Sequence, residues 1–120
     1  MITIEKVVGE LSKKETMKVS ENIGASIKAL IEQDGVCVVL SPKYVVLAHV
    51  KGEGENAKKF DCYVFCDVDG KLYSCGKINA AETAVAYMRE LQDAGEEYAL
   101  QFRFETSRKT GNRFIKCELI

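Results

Sequence analysis

The stretch "VCVVLSPKYVVLAHVK", residues 36–51, is rich in β-branched residues and apolar on both faces. It reads as one long buried strand or two short ones, and Pro42, which has no backbone N–H to donate, marks a bend or an edge within it. The neighbouring segments supply its partners.

Downstream, "FDCYVFCDVDGKLYSCGKI" (60–78) reads as a strand, a turn at Gly70 and a second strand. A two-residue Asp69-Gly70 turn would mix Cys62 and Val64 with Lys77 on one face. A three-residue loop, Val68-Asp69-Gly70 with Gly70 left-handed, pairs Cys66 with Leu72, Val64 with Ser74, Cys62 with Gly76 and Phe60 with Ile78. The opposite face then pairs Asp67 with Lys71, Phe65 with Tyr73, Tyr63 with Cys75 and Asp61 with Lys77. This register is favoured, because cross-strand ion and aromatic pairs contribute about 0.2–1 kcal/mol each.

A helix follows, with Asn79 as N-cap, Glu82 at its third position and Gly95 as its stop; Ala81, Ala84, Val85, Met88 and Leu91 form its apolar stripe. The segment from Tyr98 to Ile120 gives two strands around a basic turn. Leu100, Phe102, Phe104 and Thr106 face inward with Ile115, Cys117 and Leu119. Phe114, Lys116 and Glu118 then face outward. A tight Thr110-Gly111 turn sets Glu105 against Lys116, and a four-residue loop sets Arg103 against Lys116; both registers bring apolar residues together.

Ahead of residue 36, "SKKE" (12–15) matches a capping box that starts a short helix, and a second helix is expected from about Ser20 to Gln33, with Ile23, Ile27, Leu30 and Ile31 on one face and Gly35 as terminator. "KGEGENAKK" (51–59) reads as an exposed loop. The expectation is an α+β chain, mainly β, in the order β-β-β-α-β-β. That is the order of a five-stranded oligonucleotide-binding (OB) barrel, although other α+β sheets share it. Residues 1–35 would form a helical extension packed on the barrel and residues 36–120 the OB-like domain, one structural unit overall.

The 120 residues suit a single domain; they are 47% hydrophobic and 29% charged, with a formal net charge of −1. The opening "MITIEKVVGELSKKE" lacks a basic stretch followed by an apolar run and a cleavage site, and no run of about 18 apolar residues occurs, so a cytoplasmic protein without a membrane partner is expected. Cys37, Cys62, Cys66, Cys75 and Cys117 sit in apolar, strand-like runs and read as free buried thiols. Cys62 and Cys66 would lie about 13 Å apart along a strand and His49 is the single histidine, so neither a zinc site nor another cofactor is expected. No phosphate-cradling glycine loop or nucleophile elbow is present, and His49 in its apolar strand reads as structural, which points away from an enzyme.

Charge is uneven. Residues 98–120 carry Arg103, Arg108, Lys109, Arg113 and Lys116 against Glu105 and Glu118, a net of +3; residues 79–97 carry Arg89 against five acids, a net of −4. The cations of the final hairpin, with Lys71 and Lys77 as secondary candidates, suit phosphates, and Tyr63, Phe65, Tyr73 and Phe114 suit stacked bases. The bland counterparts are a solvated turn and rings covered by a helix or loop.

"TSRKTGNRFIKCELI" (106–120), with "DGKLYSCGKINAAETAVAYMREL" upstream, resembles the small single-stranded-DNA-binding proteins of tailed, protein-primed podophages. The matching positions are Asp69, Gly70 and Tyr73, then Thr106, Ser107, Lys109, Gly111, Arg113 and Phe114; "KKETMKV" is similar more faintly. The resemblance implies an OB-like protein that coats displaced single strands during phage DNA replication in the bacterial cytoplasm, without reading sequence. Arg108 beside Lys109 lengthens the turn relative to that family, and residues 52–59 have no counterpart in it. The ligand is expected to be single-stranded DNA, with RNA as the variant and assembly of copies on the strand as a further expectation. The rival is a phage or mobile-element interaction module that inhibits a host protein through the same outer sheet face.

Overall fold

The computed structural model describes residues 2–35, 37–54 and 58–120. Its elements are β1 (Ile2–Val8), α1 (Lys13–Glu21), β2 (Ala25–Ser26), α2 (Ile27–Asp34), β3 (Cys37–Leu40), β4 (Pro42–Lys51), β5 (Lys59–Asp67), β6 (Leu72–Gly76), α3 (Asn79–Ala94), β7 (Leu100–Thr106) and β8 (Arg113–Leu119). The fold is α+β and mainly strands, arranged as two open sheets ordered β1-β4-β5-β6-β2 and β3-β7-β8.

The quoted stretch is two strands, and the bend between them distributes the chain over both sheets. Ser41 stands at the break: its N–H donates to Asp67 Oδ1 at 2.7 Å and its carbonyl accepts from the Val68 N–H at 3.1 Å. β3 pairs with β7, while β4, starting at Pro42 and carrying a bulge before Tyr44, pairs with β1 and β5. The β5–β6 hairpin has the expected register from Cys62↔Gly76 to Cys66↔Leu72, and Gly70 at φ 91° supplies the backbone that the three-residue loop needs. β6 ends at Gly76, so Phe60–Ile78 and Asp61–Lys77 are not ladder pairs. In the last hairpin Arg103 faces Lys116 and Phe104 faces Ile115, the four-residue-loop alternative, closed by Ser107 N–H donating to Asn112 O at 2.8 Å.

The N-terminal quarter is more than a helical extension. β1 pairs antiparallel with β4 and is an integral strand of the larger sheet; its alternation of Ile2 and Ile4 with Thr3 and Glu5 is the half-buried strand pattern. The Ser12–Glu15 capping box forms as read. The second helix begins at Ile27 and not near Ser20, because Gly24 takes φ 80° and Ala25–Ser26 pairs in parallel with β6 before Ser26 caps α2. The expected α3 cap also shifts: Ile78 is the N-cap and Asn79 the first helical residue, while Glu82 accepts a hydrogen bond from the Tyr63 hydroxyl at 2.9 Å. Gly35 and Gly95 end their helices left-handed, as expected. Residues 55–57 of the expected loop, and Val36 at the expected strand start, lie outside the described residues.

Both faces of the larger sheet are covered. On one, Val45, Tyr63, Phe65 and Cys75 pack against Ile27 and Ile31 of α2, Ala81, Ala84, Val85 and Met88 of α3, and Leu100, Phe102 and Cys117 of the smaller sheet. On the other, Tyr44, Val46, Ala48, Cys62, Val64 and Cys66 pack with Val19 of α1. β6 pairs with β5 and β2, and β8 with β7; no hydrogen-bonded ladder joins β6 to β8, so the sheets do not close into a barrel that way.

Candidate nucleic-acid interface

The aromatic platform expected on β5–β6 is core. Phe65 is 0% exposed and meets Phe102 edge-on with ring centroids 5.8 Å apart. Tyr63 is buried, and Tyr73 is half-buried against the same cluster. Phe65 and Tyr63 offer no free ring face to a base, and Tyr73 is partly committed to the core. The physical reason lies in the layering: the face that carries these rings is the one that α2, α3 and the smaller sheet cover, and aromatic burial there supplies much of the core's apolar area.

Phe114 is different. As the second residue of edge strand β8 it is 45% exposed. It stands between two depressions. One, about 370 Å³, is lined by Lys28, Ile78, Asn79, Phe104, Arg113 and Ile115 as well as Phe114. The other, about 380 Å³, lies toward the turn and is lined by Glu105, Thr106, Ser107, Arg108 and Lys109 as well as Phe114. Alternation puts Arg113 on the opposite face of β8 from Phe114, yet both line the first cleft, since β8 is an edge strand of its sheet. The Arg113 guanidinium is fixed above the Phe104 ring, 4.4 Å from its centroid.

The cations expected to hold phosphates fall into two groups. Arg103 pairs with Glu118 and, at 3.5 Å, with Glu105; Lys116 lies 3.6 Å from Glu105 and 3.7 Å from Glu118. The cross-strand register places these four side chains together on the outer face of β7–β8, where the carboxylates already neutralise the cations. Arg108, Lys109 and Arg113, by contrast, are exposed and form no ion pair among the described residues, and the same holds for Lys28, Lys71 and Lys77. Lys77 precedes Ile78 at the first cleft; Lys71 sits on the β5–β6 turn, apart from it.

Lys28, Ile78 and Asn79 escape the sequence reading. An isolated lysine in a helix carries no motif, and Asn79 reads as a cap from sequence because Asn is favoured there. The one-residue shift of the cap leaves Asn79 lining the cleft. Among the described residues, no group of three or more His, Cys, Asp and Glu could hold a metal ion, and no helix is long and apolar enough to cross a membrane.

His49 is not buried in its strand. Nδ1 lies 2.7 Å from Asp61 Oδ1 and Nε2 3.0 Å from Glu5 Oε1, across the β5 and β1 neighbours of β4. Two carboxylate acceptors ask for two ring N–H donors, which only the imidazolium has; the hydrogen bond to Asp61 and then that to Glu5 raise the His49 pKa. This is an ion-pair bridge clamping three strands.

No family model, no curated protein and no solved structure matches this chain.

Proposed function

We propose that this protein binds single-stranded DNA without reading its sequence, and that the strand crosses the open edge of β8. Phe114 stacks a base; Arg113 and Lys28 hold phosphates on one side of it and Arg108 and Lys109 on the other, with Lys77 at the margin. The observation that carries this reading is the position of one exposed ring between two depressions whose rims hold Lys28, Arg108, Lys109 and Arg113, cations that form no ion pair among the described residues. Such an arrangement suits a flexible polyanion whose every base offers a π face. Arg103 and Lys116 contribute little, because phosphates would have to displace Glu105 and Glu118. We also read the fold as an OB-like barrel left open between β6 and β8; the pairing of one bent strand, β3–β4, with both β5 and β7, and the position of α3 between β6 and β7, support that reading. The resemblance of residues 106–120 to phage single-stranded-DNA-binding proteins supports a role in coating displaced strands during phage replication, without catalysis.

Titration of labelled oligo(dT) at several salt concentrations tests this. Binding should weaken with salt with a log–log slope of about −0.7 per phosphate contact. Phe114→Ala should cost about 1–3 kcal/mol, roughly 5- to 150-fold in affinity, and Arg113→Ala should make the slope shallower by about 0.7, while Arg103→Ala changes either far less. Binding indifferent to salt and to Phe114 would refute it.

A second reading has its own observation. Arg103, Glu105, Lys116 and Glu118 alternate in sign on the outer face of β7–β8, a surface without net positive field that suits a protein partner, such as an inhibited host protein, better than a polyanion. That reading requires the oligo(dT) titration to show no binding.

A further inference from the structure

α3 ends without a basic residue in its last turn, although the C-terminal end of a helix carries partial negative charge on its free carbonyls. Asp93, Glu96 and Glu97, all exposed, add to that charge where lysine or arginine would relieve it. Beside this end lies a depression of about 570 Å³ lined by Ser41, Pro42, Val68, Glu96, Glu97 and Tyr98. Val68, at the tip of the β5–β6 hairpin, is 69% exposed there. Negative charge that no cation in the last turn of the helix relieves and an exposed apolar side chain thus adjoin in one depression, a surface complementary to a cation carried on an aliphatic stem.

The complementary surface is on the same chain. β7 starts beside the depression at Leu100 and ends at Thr106, so the basic turn stands about 20 Å away along the strand, at the opposite end of the smaller sheet. A copy cannot satisfy its own acidic corner with its own turn. Arg108 and Lys109 are exposed at that turn and unpaired among the described residues.

We propose that copies of this chain associate head to tail, with the Arg108–Lys109 turn of one copy seated in the depression at the C-terminal end of α3 of the next. Glu96, Glu97 and the helix end receive the two cations. Val68 and Pro42 pack on the aliphatic stems of Arg108 and Lys109. Donor and acceptor are different surfaces, so the contact is heterologous and repeats along a chain of copies. The proposal does not depend on the nucleic-acid reading: Phe114, Arg113 and Lys28 lie outside the contact, whereas Arg108 and Lys109 serve both, so a bound strand competes with the contact for those two cations.

Sedimentation velocity on the full chain, without nucleic acid and over a range of concentrations, tests it. Wild type should associate at low salt and dissociate at high salt, since screening shortens the reach of exposed charges to about 10 Å at 0.1 M. The double variants Glu96→Lys/Glu97→Lys and Arg108→Glu/Lys109→Glu, each verified as folded by circular dichroism, should each remain monomeric, and an equimolar mixture should associate again, because each then carries the partner for the other's reversed charge. A wild type that stays monomeric at low salt, variants that associate as wild type does, or a mixture that stays monomeric would each overturn the proposal. Oligo(dT) binding by Glu96→Lys/Glu97→Lys reports separately on the nucleic-acid reading.

Discussion

His49 shows how one residue takes its role from neighbours distant in sequence. In the chain it sits in an apolar run; in the sheet Glu5 from β1 and Asp61 from β5 flank it. Its folded pKa is raised above the ordinary 6.5, so its contribution to stability is fully present below about pH 6.5 and is lost as pH rises through the raised folded value. NMR titration of this single histidine should place its pKa above 6.5, and Asp61→Asn should lower it. The stability difference between wild type and Asp61→Asn should shrink as pH is raised from 6 to 9; a difference independent of pH would show that the bridge is not ionic. At the same scale, the basic residues of the last hairpin were legible as a group in the sequence. Which of them are free was not, because Glu105 and Glu118 reach Arg103 and Lys116 only through the cross-strand register.

Among the elements, signals confined to a few adjacent residues specify caps and turns, whereas starts set by tertiary contacts are not legible. The Ser12–Glu15 box, Gly35, Gly70 and Gly95 act where they were read, since caps and left-handed turns depend on a few adjacent residues. The start of α2 escaped because Gly24 is held by the fold: a Cβ there would lie 2.2 Å from the Leu72 carbonyl oxygen of β6, and its N–H donates to Asn22 Oδ1 at 2.7 Å. Gly24→Ala should therefore cost about 2 kcal/mol or more in denaturant unfolding, from strain at positive φ plus the clash. Gly35→Ala, equally left-handed but with nothing within 4 Å, should cost about 1 kcal/mol. Equal losses at the two sites would mean that Gly24 has no close neighbour.

At the scale of the molecule, the larger sheet is buried on both faces, and this accounts for both the thiols and the misplaced platform. All five cysteines are free; burial pushes the Cys75 thiol up to about 11 and Cys117 to about 12, while Cys37 is half-exposed. A thiol-reactive probe should label Cys37 first in the native protein and reach Cys75 and Cys117 only at the rate of unfolding, with all five reacting in denaturant. Rapid native labelling of Cys117 would contradict this packing. The order of elements from residue 37 onward, the β5–β6 register and the outward position of Phe114 were determined by the sequence alone, because periodicity, turn residues and caps act over a few residues. Whether the rings of β5 and β6 face solvent, whether β1 joins the sheet, and which cations remain unneutralised were decided only by the tertiary structure. A strand's period of two says which residues share a face but not which layer covers that face; that choice is made by segments far along the chain competing to bury the same apolar area.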